Sequence, residues 1–283
     1  MMLGRRLLAV TLGSIVAAVV AVSAGPAFER PGWYFYDAFQ RLTAPAKAEG
    51  VTFVVISNGT LESMRNDPQN AYAWPWPRAI YGAFIRVANK VGAKSVVFDG
   101  LFANPSSEGV DDDRAFGADI KASLVPVVLG GEDGANSPPP NKFILESAEG
   151  TAKQGVVTGP REDDGIYRRM PLTIDGRPTL AFAGLAETDE FRKRKGEALW
   201  MRFYANDGIP YVEASEVFSL YRAIADEKPI DGELAAIAEK LKGTHLIIGA
   251  SAPGLFDLKP LPTDPHAPGA LVHATALANW LSG

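Results

Sequence analysis

The first half of the chain alternates short β-branched runs with stretches of helical periodicity. Residues 51–56 form an apolar run flanked by glycines, which predicts a buried strand. Residues 77–91 repeat apolar side chains every three to four positions, which predicts a helix that stops at a glycine. Strands are expected at 95–98 and 124–129, with a helix at 111–121 between them. Strand, helix and strand at this spacing predict a parallel sheet with right-handed crossovers.

The second half has a weaker pattern of apolar positions. We expect a loop at 130–141, which is rich in glycine, proline and serine, and a hairpin that pairs 155–158 with 167–174. The remaining expected elements are helices at 179–187, 214–224, 233–241 and 269–281, and strands at 199–204 and 245–249. The pattern predicts one α/β domain with a mostly parallel sheet flanked by helices.

An uncharged apolar run covers residues 7–24, directly after Arg5 and Arg6. As a helix it is about long enough to cross the hydrocarbon core of a bilayer. Two interpretations remain open, a retained signal anchor and a signal peptide cleaved near the small residues 22–24. Basic residues stay on the cytoplasmic side, so both interpretations place the rest of the chain outside the cytoplasm.

We therefore expect a transmembrane or signal helix over residues 1–27 and an extracytoplasmic domain over residues 28–283. The location predicted for the protein is the inner membrane, with the domain in the periplasm. Trp33, Tyr36 and Phe39 follow the apolar run at helical spacing, which predicts a further helix at the start of the domain.

Composition narrows the classes of function. The chain has 283 residues, of which 47% are hydrophobic, and a formal net charge of -5. This length and apolar content suit a globular core, and the mild acidity gives no reason to expect nucleic acid as a partner. The absence of cysteine from the sequence excludes disulfides, thiol nucleophiles and thiolate metal sites.

Two features suggest a binding site at one edge of the predicted sheet. In the segment 74–78, two prolines alternate with Trp74 and Trp76 before Arg78, so a rigid pair of indoles could bind a ligand ring or an anion. Asp99 directly follows a strand, and ligands of open α/β sheets bind beyond the carboxyl ends of the strands. The alternatives are that the tryptophans only form a helix entry and that Asp99 bonds to its own turn or pairs with Arg78.

Two clusters of charged residues have simpler structural interpretations. The run 111–113 is acidic, but it lacks the spacing of a calcium loop and fits the cap and first turn of a helix. Arg168 and Arg169 follow a predicted turn at 163–165, where they form either a salt-bridged hairpin edge or a site for an acidic ligand.

Signatures of catalysis are weak. The segment 249–254 lacks the residues of a phosphate loop or a nucleophile elbow, and it is expected to be a turn where backbones pack closely. The three histidines, His245, His266 and His273, form no H-x-x-x-H pair, so we expect no metal site and no cofactor. This favours a binding module over an enzyme.

Taken together, several short motifs resemble the second type of CHASE domain, a family of sensory domains found outside the membrane in bacterial cyclases, histidine kinases and protein kinases. The motifs are Tyr36-Asp37 with Arg41, Trp74 to Arg78, Val97-Phe98-Asp99 with Phe102, Asp112-Asp113, Asp164-Gly165 with Arg168-Arg169 and Pro171-Leu172, Ile247-Ile248-Gly249 with Leu255 and Asp257, and Pro268-Gly269 with His273-Ala274 and Leu277-Ala278-Asn279.

The sequence departs from the family pattern at three places. Residues 270–272 are Ala-Leu-Val where the family has a valine and an acid, and Thr275 replaces a common asparagine. The aspartate pair often found near residues 57–58 is also missing, which removes any ligand contact expected there. The resemblance implies further membrane helices and a cytoplasmic cyclase or kinase beyond residue 283, so that this chain would be a fragment of a receptor or a truncated gene product.

Three functions follow as hypotheses. The first is a membrane-anchored sensor for a small-molecule or protein signal. The second is a structural module that dimerises without a ligand, and the third is a secreted α/β hydrolase built around His273. For the sensor, the residues predicted to bind the ligand at the carboxyl edge of the sheet are Trp74, Trp76, Arg78, Asp99, Arg168 and Asp257.

Overall fold

The computed structural model of the chain describes residues 29–68, 71–132, 138–205, 208–252 and 257–283. The helix predicted at residues 1–27 lies outside these ranges. Within them, no helix has both the length and the apolar character needed to cross a bilayer. The chain divides into two compact units between Ala44 and Pro45, and each is described by itself.

The described part of the first unit is the helix α1, Glu29–Thr43. It confirms the helix predicted from the aromatic spacing. Its apolar side chains Tyr34, Phe35, Phe39 and Leu42 are exposed.

The second unit is an α/β domain that begins at Pro45. Its elements in chain order are β1 (Val51–Ile56), α2 (Asn58–Arg65), α3 (Arg78–Val91), β2 (Ser95–Leu101), α4 (Val110–Lys121), β3 (Val127–Gly131), α5 (Lys142–Ala148), β4 (Lys153–Val156), β5 (Arg169–Pro171), β6 (Thr173–Ile174), β7 (Arg177–Pro178), a 3₁₀ turn (Ala183–Leu185), α6 (Asp189–Arg194), β8 (Ala198–Trp200), β9 (Tyr211–Glu213), α7 (Ala214–Ala225), α8 (Gly232–Leu241), β10 (His245–Ala250), β11 (Leu258–Lys259), β12 (Ala267–Pro268) and α9 (Gly269–Ser282).

The main sheet has six parallel strands in the order β4-β3-β2-β10-β1-β9. Phe53 of β1 lies opposite Ile247 of β10, which in turn lies opposite Val97 of β2. All six residues of β1 are buried, because helices cover both faces of a parallel sheet. This explains why β1 and β10 appear in the sequence as continuous apolar runs, and it confirms the predicted α/β class with a parallel sheet.

The two faces of the sheet pack against different helices. Side chains that point to one face, such as Val54, Phe98 and Ile248, join a core with α3, α4, α7 and α8. On the other face α9 packs against β10 and β1. A Cβ added to Gly249 would lie 2.3 Å from the Cβ of Ala270, so glycine is what allows α9 to approach β10 closely. This agrees with the close backbone packing expected at 249–254.

The predicted hairpin between 155–158 and 167–174 is wrong. β4 instead pairs in parallel with β3, and β5 pairs in antiparallel fashion with the distant β8. The tight hairpin joins β6 and β7 through Asp175 and Gly176, both of which have positive φ angles. An Asp-Gly pair favours the tight turn in which both central residues have positive φ, and this local signal was overlooked.

Two further element predictions need correction. The helix expected at 179–187 is reduced to the 3₁₀ turn, and the strand expected at 199–204 forms only as β8. The helix α2 is an additional element: Asn58-Gly59, which predicts a turn after β1, begins this helix instead. Ser57 caps α2 by accepting a hydrogen bond from the Thr60 backbone N–H at 3.1 Å.

Candidate functional site

A cavity of about 790 Å³ lies at the carboxyl ends of the sheet strands. This volume is within the range of small-molecule sites, and the carboxyl edge is where open α/β sheets bind ligands. The ends of five strands contribute Ile56 as the last residue of β1, Asp99 in β2, Glu132 after β3, Val157 after β4 and Ala250 as the last residue of β10. Other walls come from the segment before α3 and from the first turns of α9.

Aromatic side chains form one wall of the cavity. Trp74 and Trp76 meet edge to face with ring centroids 5.1 Å apart, and a cis peptide bond joins Trp74 to Pro75. Trp76 is buried and packs against Tyr81 and Phe218 of the core. Its indole Nε1 has no hydrogen-bond partner among the described residues. The wall therefore offers apolar and aromatic surface.

Arg78 is held by its neighbours at the start of α3. Its guanidinium donates to the Asn104 carbonyl at 3.1 Å, lies 5.0 Å from the Phe102 ring centroid and is 3.6 Å from the buried carboxylate of Asp113. Arg78 thus pairs with Asp113, and the pairing with Asp99 that was considered from the sequence is not the one that forms. The positive charge on this wall is already neutralised within the protein.

Asp99, in β2, also lines the cavity, and it is half-buried. Burial and the nearby charge of Asp257 raise the pKa of Asp99 from 3.8 to about 7, while Lys259 opposes the shift. The carboxyl group therefore changes its charge near neutral pH.

Asp257 and Lys259 bring a second carboxylate and a cation to the same cavity. The two side chains form an ion pair at 3.1 Å. Asp257 lies against the first residue of α9, since a Cβ added to Gly269 would be 2.4 Å from both carboxylate oxygens. The Gly269 backbone N–H also donates to the Asp257 carbonyl at 2.8 Å. Glycine at the start of α9 thus makes room for this carboxylate.

His273 lines the cavity from the first turns of α9. Its Nε2 lies 3.1 Å from the Val157 carbonyl, which can only accept a hydrogen bond, so Nε2 carries the proton. Burial lowers the pKa of His273 to about 4, and the ring is neutral at pH 7. Nδ1 is then an acceptor, and it has no partner in the described part of the chain.

The structure brings together five of the six residues predicted to bind a ligand. Trp74, Trp76, Arg78, Asp99 and Asp257 line the cavity. Arg168 is not among the described residues that line it. Its guanidinium is buried and donates to both carboxylate oxygens of Asp164, at 2.9 and 2.8 Å. The predicted role of these residues in ligand binding stays a prediction.

Sequence analysis missed several residues of the cavity wall. Lys259 lies in a segment without a clear pattern, and Tyr167 opens the strand predicted at 167–174. His273 was considered for a hydrolase and in the family resemblance, but neither it nor Tyr167 was predicted to bind a ligand. The signal that could have found His273 was its position four residues into a helix that begins with Pro268-Gly269, next to a strand edge.

The acidic run 111–113 serves the local structure. Asp112 accepts hydrogen bonds from the backbone N–H groups of Arg78 and Ala79 at 2.5 and 2.8 Å, so it caps α3 from outside that helix. The Asp111 side chain is 95% exposed. Among the described residues, no group of three or more histidine, aspartate or glutamate side chains is arranged to hold a metal ion.

The described residues do not form a hydrolytic triad at His273. Within them, Nε2 is bonded to a backbone carbonyl and Nδ1 has no partner, whereas a triad requires one nitrogen at a nucleophile and the other at an acid. The geometry offers instead a recess with buried acceptors, one neutral imidazole and an aromatic wall. Such a recess can bind a small molecule by hydrogen bonds and apolar contact.

A protein-family model described as CHASE2 domain matches residues 14–283. Comparisons with curated proteins and with solved structures gave no match.

Proposed function

The chain belongs to the CHASE2 domain family, and from this premise we propose that it is the ligand-sensing part of a bacterial transmembrane receptor. CHASE2 domains are extracellular sensory domains of signalling receptors and are not catalytic. In this proposal the second unit of the chain senses a signal in the periplasm, residues 1–27 hold it at the inner membrane, and a cyclase or kinase gives the output.

The observation that supports a ligand is the cavity itself. Trp76 and His273 line it, together with the carboxylates of Asp99 and Asp257. A recess of about 790 Å³ that combines aromatic surface with carboxylates and an imidazole has the composition of a small-molecule site. A module that only dimerises requires no such recess. The cavity therefore favours a ligand-binding sensor over a module that only dimerises.

The test is a thermal-shift experiment on the full 283-residue chain in detergent micelles. The panel contains small neutral, anionic and cationic organic molecules. We expect at least one to raise the unfolding temperature, because a molecule that binds only the folded state stabilises it. The stabilisation should disappear in Thr158→Trp, which places an indole at the exposed rim of the cavity.

A second variant and a control make the result specific. Ala250→Leu reduces the cavity from its base at the end of β10, so binding should weaken even if the first variant folds poorly. Lys193→Trp adds an indole on exposed α6, away from the lining residues, and should keep the stabilisation. If no molecule stabilises the chain, or if stabilisation survives both cavity variants, the proposed ligand site is wrong.

A further inference from the structure

Two carboxylates lie near each other in the cavity wall. A Cβ added to Gly249 would lie 3.4 Å from the Asp99 Cβ and 2.3 Å from the Ala270 Cβ. A Cβ added to the preceding residue of α9, Gly269, would lie 2.4 Å from both carboxylate oxygens of Asp257. In agreement with this geometry, the charge of Asp257 contributes to the raised pKa of Asp99. A molecule that pairs with both carboxylates must therefore bring donors, as an ammonium group does with its three N–H bonds.

The charge balance of the wall favours a cation. The charged and titratable groups that face the cavity are Arg78, Tyr81, Asp99, Glu132, Tyr167, Asp257, Lys259 and His273. Lys259 pairs with Asp257, and Arg78 pairs with Asp113, which is not a lining residue. In the described part of the chain, neither cation forms an ion pair with Asp99. Asp99 and Glu132 are two further carboxylates of the wall. An entering anion would meet these acidic groups and two cations that are already paired, so it is disfavoured.

The rest of the wall suits the body of such a cation. Trp74 is 36% exposed and lies edge to face on Trp76, and Tyr167 and Met170 also line the cavity. Aromatic faces attract an ammonium group and bury an apolar or aromatic body. The volume of about 790 Å³ leaves room for a body the size of one or two rings.

We propose that the cavity takes a small organic cation, whose ammonium group binds at Asp99 and Asp257 and whose apolar body lies against the tryptophans. This inference rests on the proposed function and names the chemical class of the signal.

The test compares probes that share a hydrocarbon group and carry a cationic, a neutral or an anionic polar group. The full chain is titrated calorimetrically with phenethylamine, 2-phenylethanol and 3-phenylpropanoate at pH 6 and pH 8, and the series is repeated with propyl and indolylethyl bodies. We expect at least one of the three amines to bind at least about tenfold more tightly at pH 8 than the alcohol with the same hydrocarbon group. Only the amine gains charge-assisted hydrogen bonds.

The pH dependence identifies the group that binds the ammonium. Asp99 must lose its proton to pair with a cation, and its pKa of about 7 means that roughly a tenth of it is ionised at pH 6 and nine tenths at pH 8. The amine should therefore bind about tenfold more weakly at pH 6. In Asp99→Asn this pH difference should vanish, while in Asp163→Asn, an exposed aspartate outside the cavity wall, it should remain.

Each contrary outcome has a distinct meaning. If an alcohol or a carboxylate binds as tightly as the amine with the same body, or if the pH difference survives in Asp99→Asn, the ligand class is wrong. The proposed sensing function survives that result as long as Thr158→Trp abolishes the binding observed. If no amine binds, this inference fails, and if no molecule of any charge binds in the cavity, the proposed function fails with it.

Discussion

Among single residues, Asp99 links the stability of the fold to pH. An aspartate in an unfolded chain titrates near pH 4, whereas burial and Asp257 raise the pKa of folded Asp99 to about 7. Between these two values the folded state holds the proton more tightly than the unfolded state. The contribution of Asp99 to stability therefore falls as pH rises from 4 to 7 and stays low above that.

Replacement of Asp99 by asparagine should remove this destabilisation. We expect Asp99→Asn to unfold with a free energy about 2–4 kcal/mol higher than the parent chain at pH 8, and the difference should shrink towards pH 4. Chemical denaturation of both proteins at several pH values measures the difference directly. His245 and His273, whose pKa values burial lowers to about 4, weaken both proteins alike in acid, so they cancel.

Asp163→Asn, at an exposed position, is the control and should change stability by less than about 0.5 kcal/mol at every pH. An Asp99→Asn protein with the same pH profile as the parent would show that Asp99 is solvated and titrates as an ordinary aspartate.

The sequence could predict those residues of the candidate site that lie at the carboxyl ends of strands. Asp99 directly follows an apolar run, and carboxyl ends of parallel strands share one edge, so the sequence placed it correctly. His273 and Lys259 depend on the packing of α9 and on two-residue strands, which leave no periodic pattern. Arg168 was predicted to face a ligand because two consecutive arginines suggest an anion site, but its bidentate bonds to Asp164 form within one turn.

Among the elements, α3 carries the aromatic wall of the cavity on its N-terminal side. Pro77 at its N-cap has no side chain to accept a backbone hydrogen bond. Asp112, from the first turn of α4, supplies the missing acceptor for Arg78 and Ala79, and its charge suits the positive end of the α3 dipole. The contact fixes the start of α3 relative to α4.

Removal of this cap should destabilise the protein. We expect Asp112→Ala to lower the free energy of unfolding by about 1–3 kcal/mol, because two N–H groups lose a charged acceptor. Asp111→Ala is the matched control one residue away, where the exposed side chain forms only a surface ion pair with Arg114 at 3.1 Å. It should cost no more than about 0.5 kcal/mol. Equal effects in urea denaturation would contradict the cap.

The sequence predicted some elements better than others for a physical reason. β1, β2 and β10 are buried on both faces, so they appear as apolar runs, and α3, α7, α8 and α9 bury one face or more. The strands between Arg169 and Trp200 have only two or three residues each, and β5 pairs with a strand almost thirty residues away. Neither periodicity nor turn residues reveal such pairing.

The whole molecule combines membership of a family of extracellular sensors with a cavity at the carboxyl edge of its sheet. All described residues that line the cavity belong to the second unit, so the proposed signal acts on the α/β domain. The proposed function requires that the α/β domain meet its signal outside the cytoplasm.

The most direct test of that claim is labelling with a membrane-impermeant maleimide. The sequence has no cysteine, so only an introduced cysteine of this chain can be labelled. A cysteine replaces Asp189, whose side chain is 89% exposed at the start of α6, and a second variant carries Thr52→Cys at a fully buried position. If the domain lies in the periplasm, Asp189→Cys is labelled on intact spheroplasts, and Thr52→Cys is labelled only after denaturation. Labelling of Asp189→Cys only after the spheroplasts are lysed would show that the domain lies in the cytoplasm.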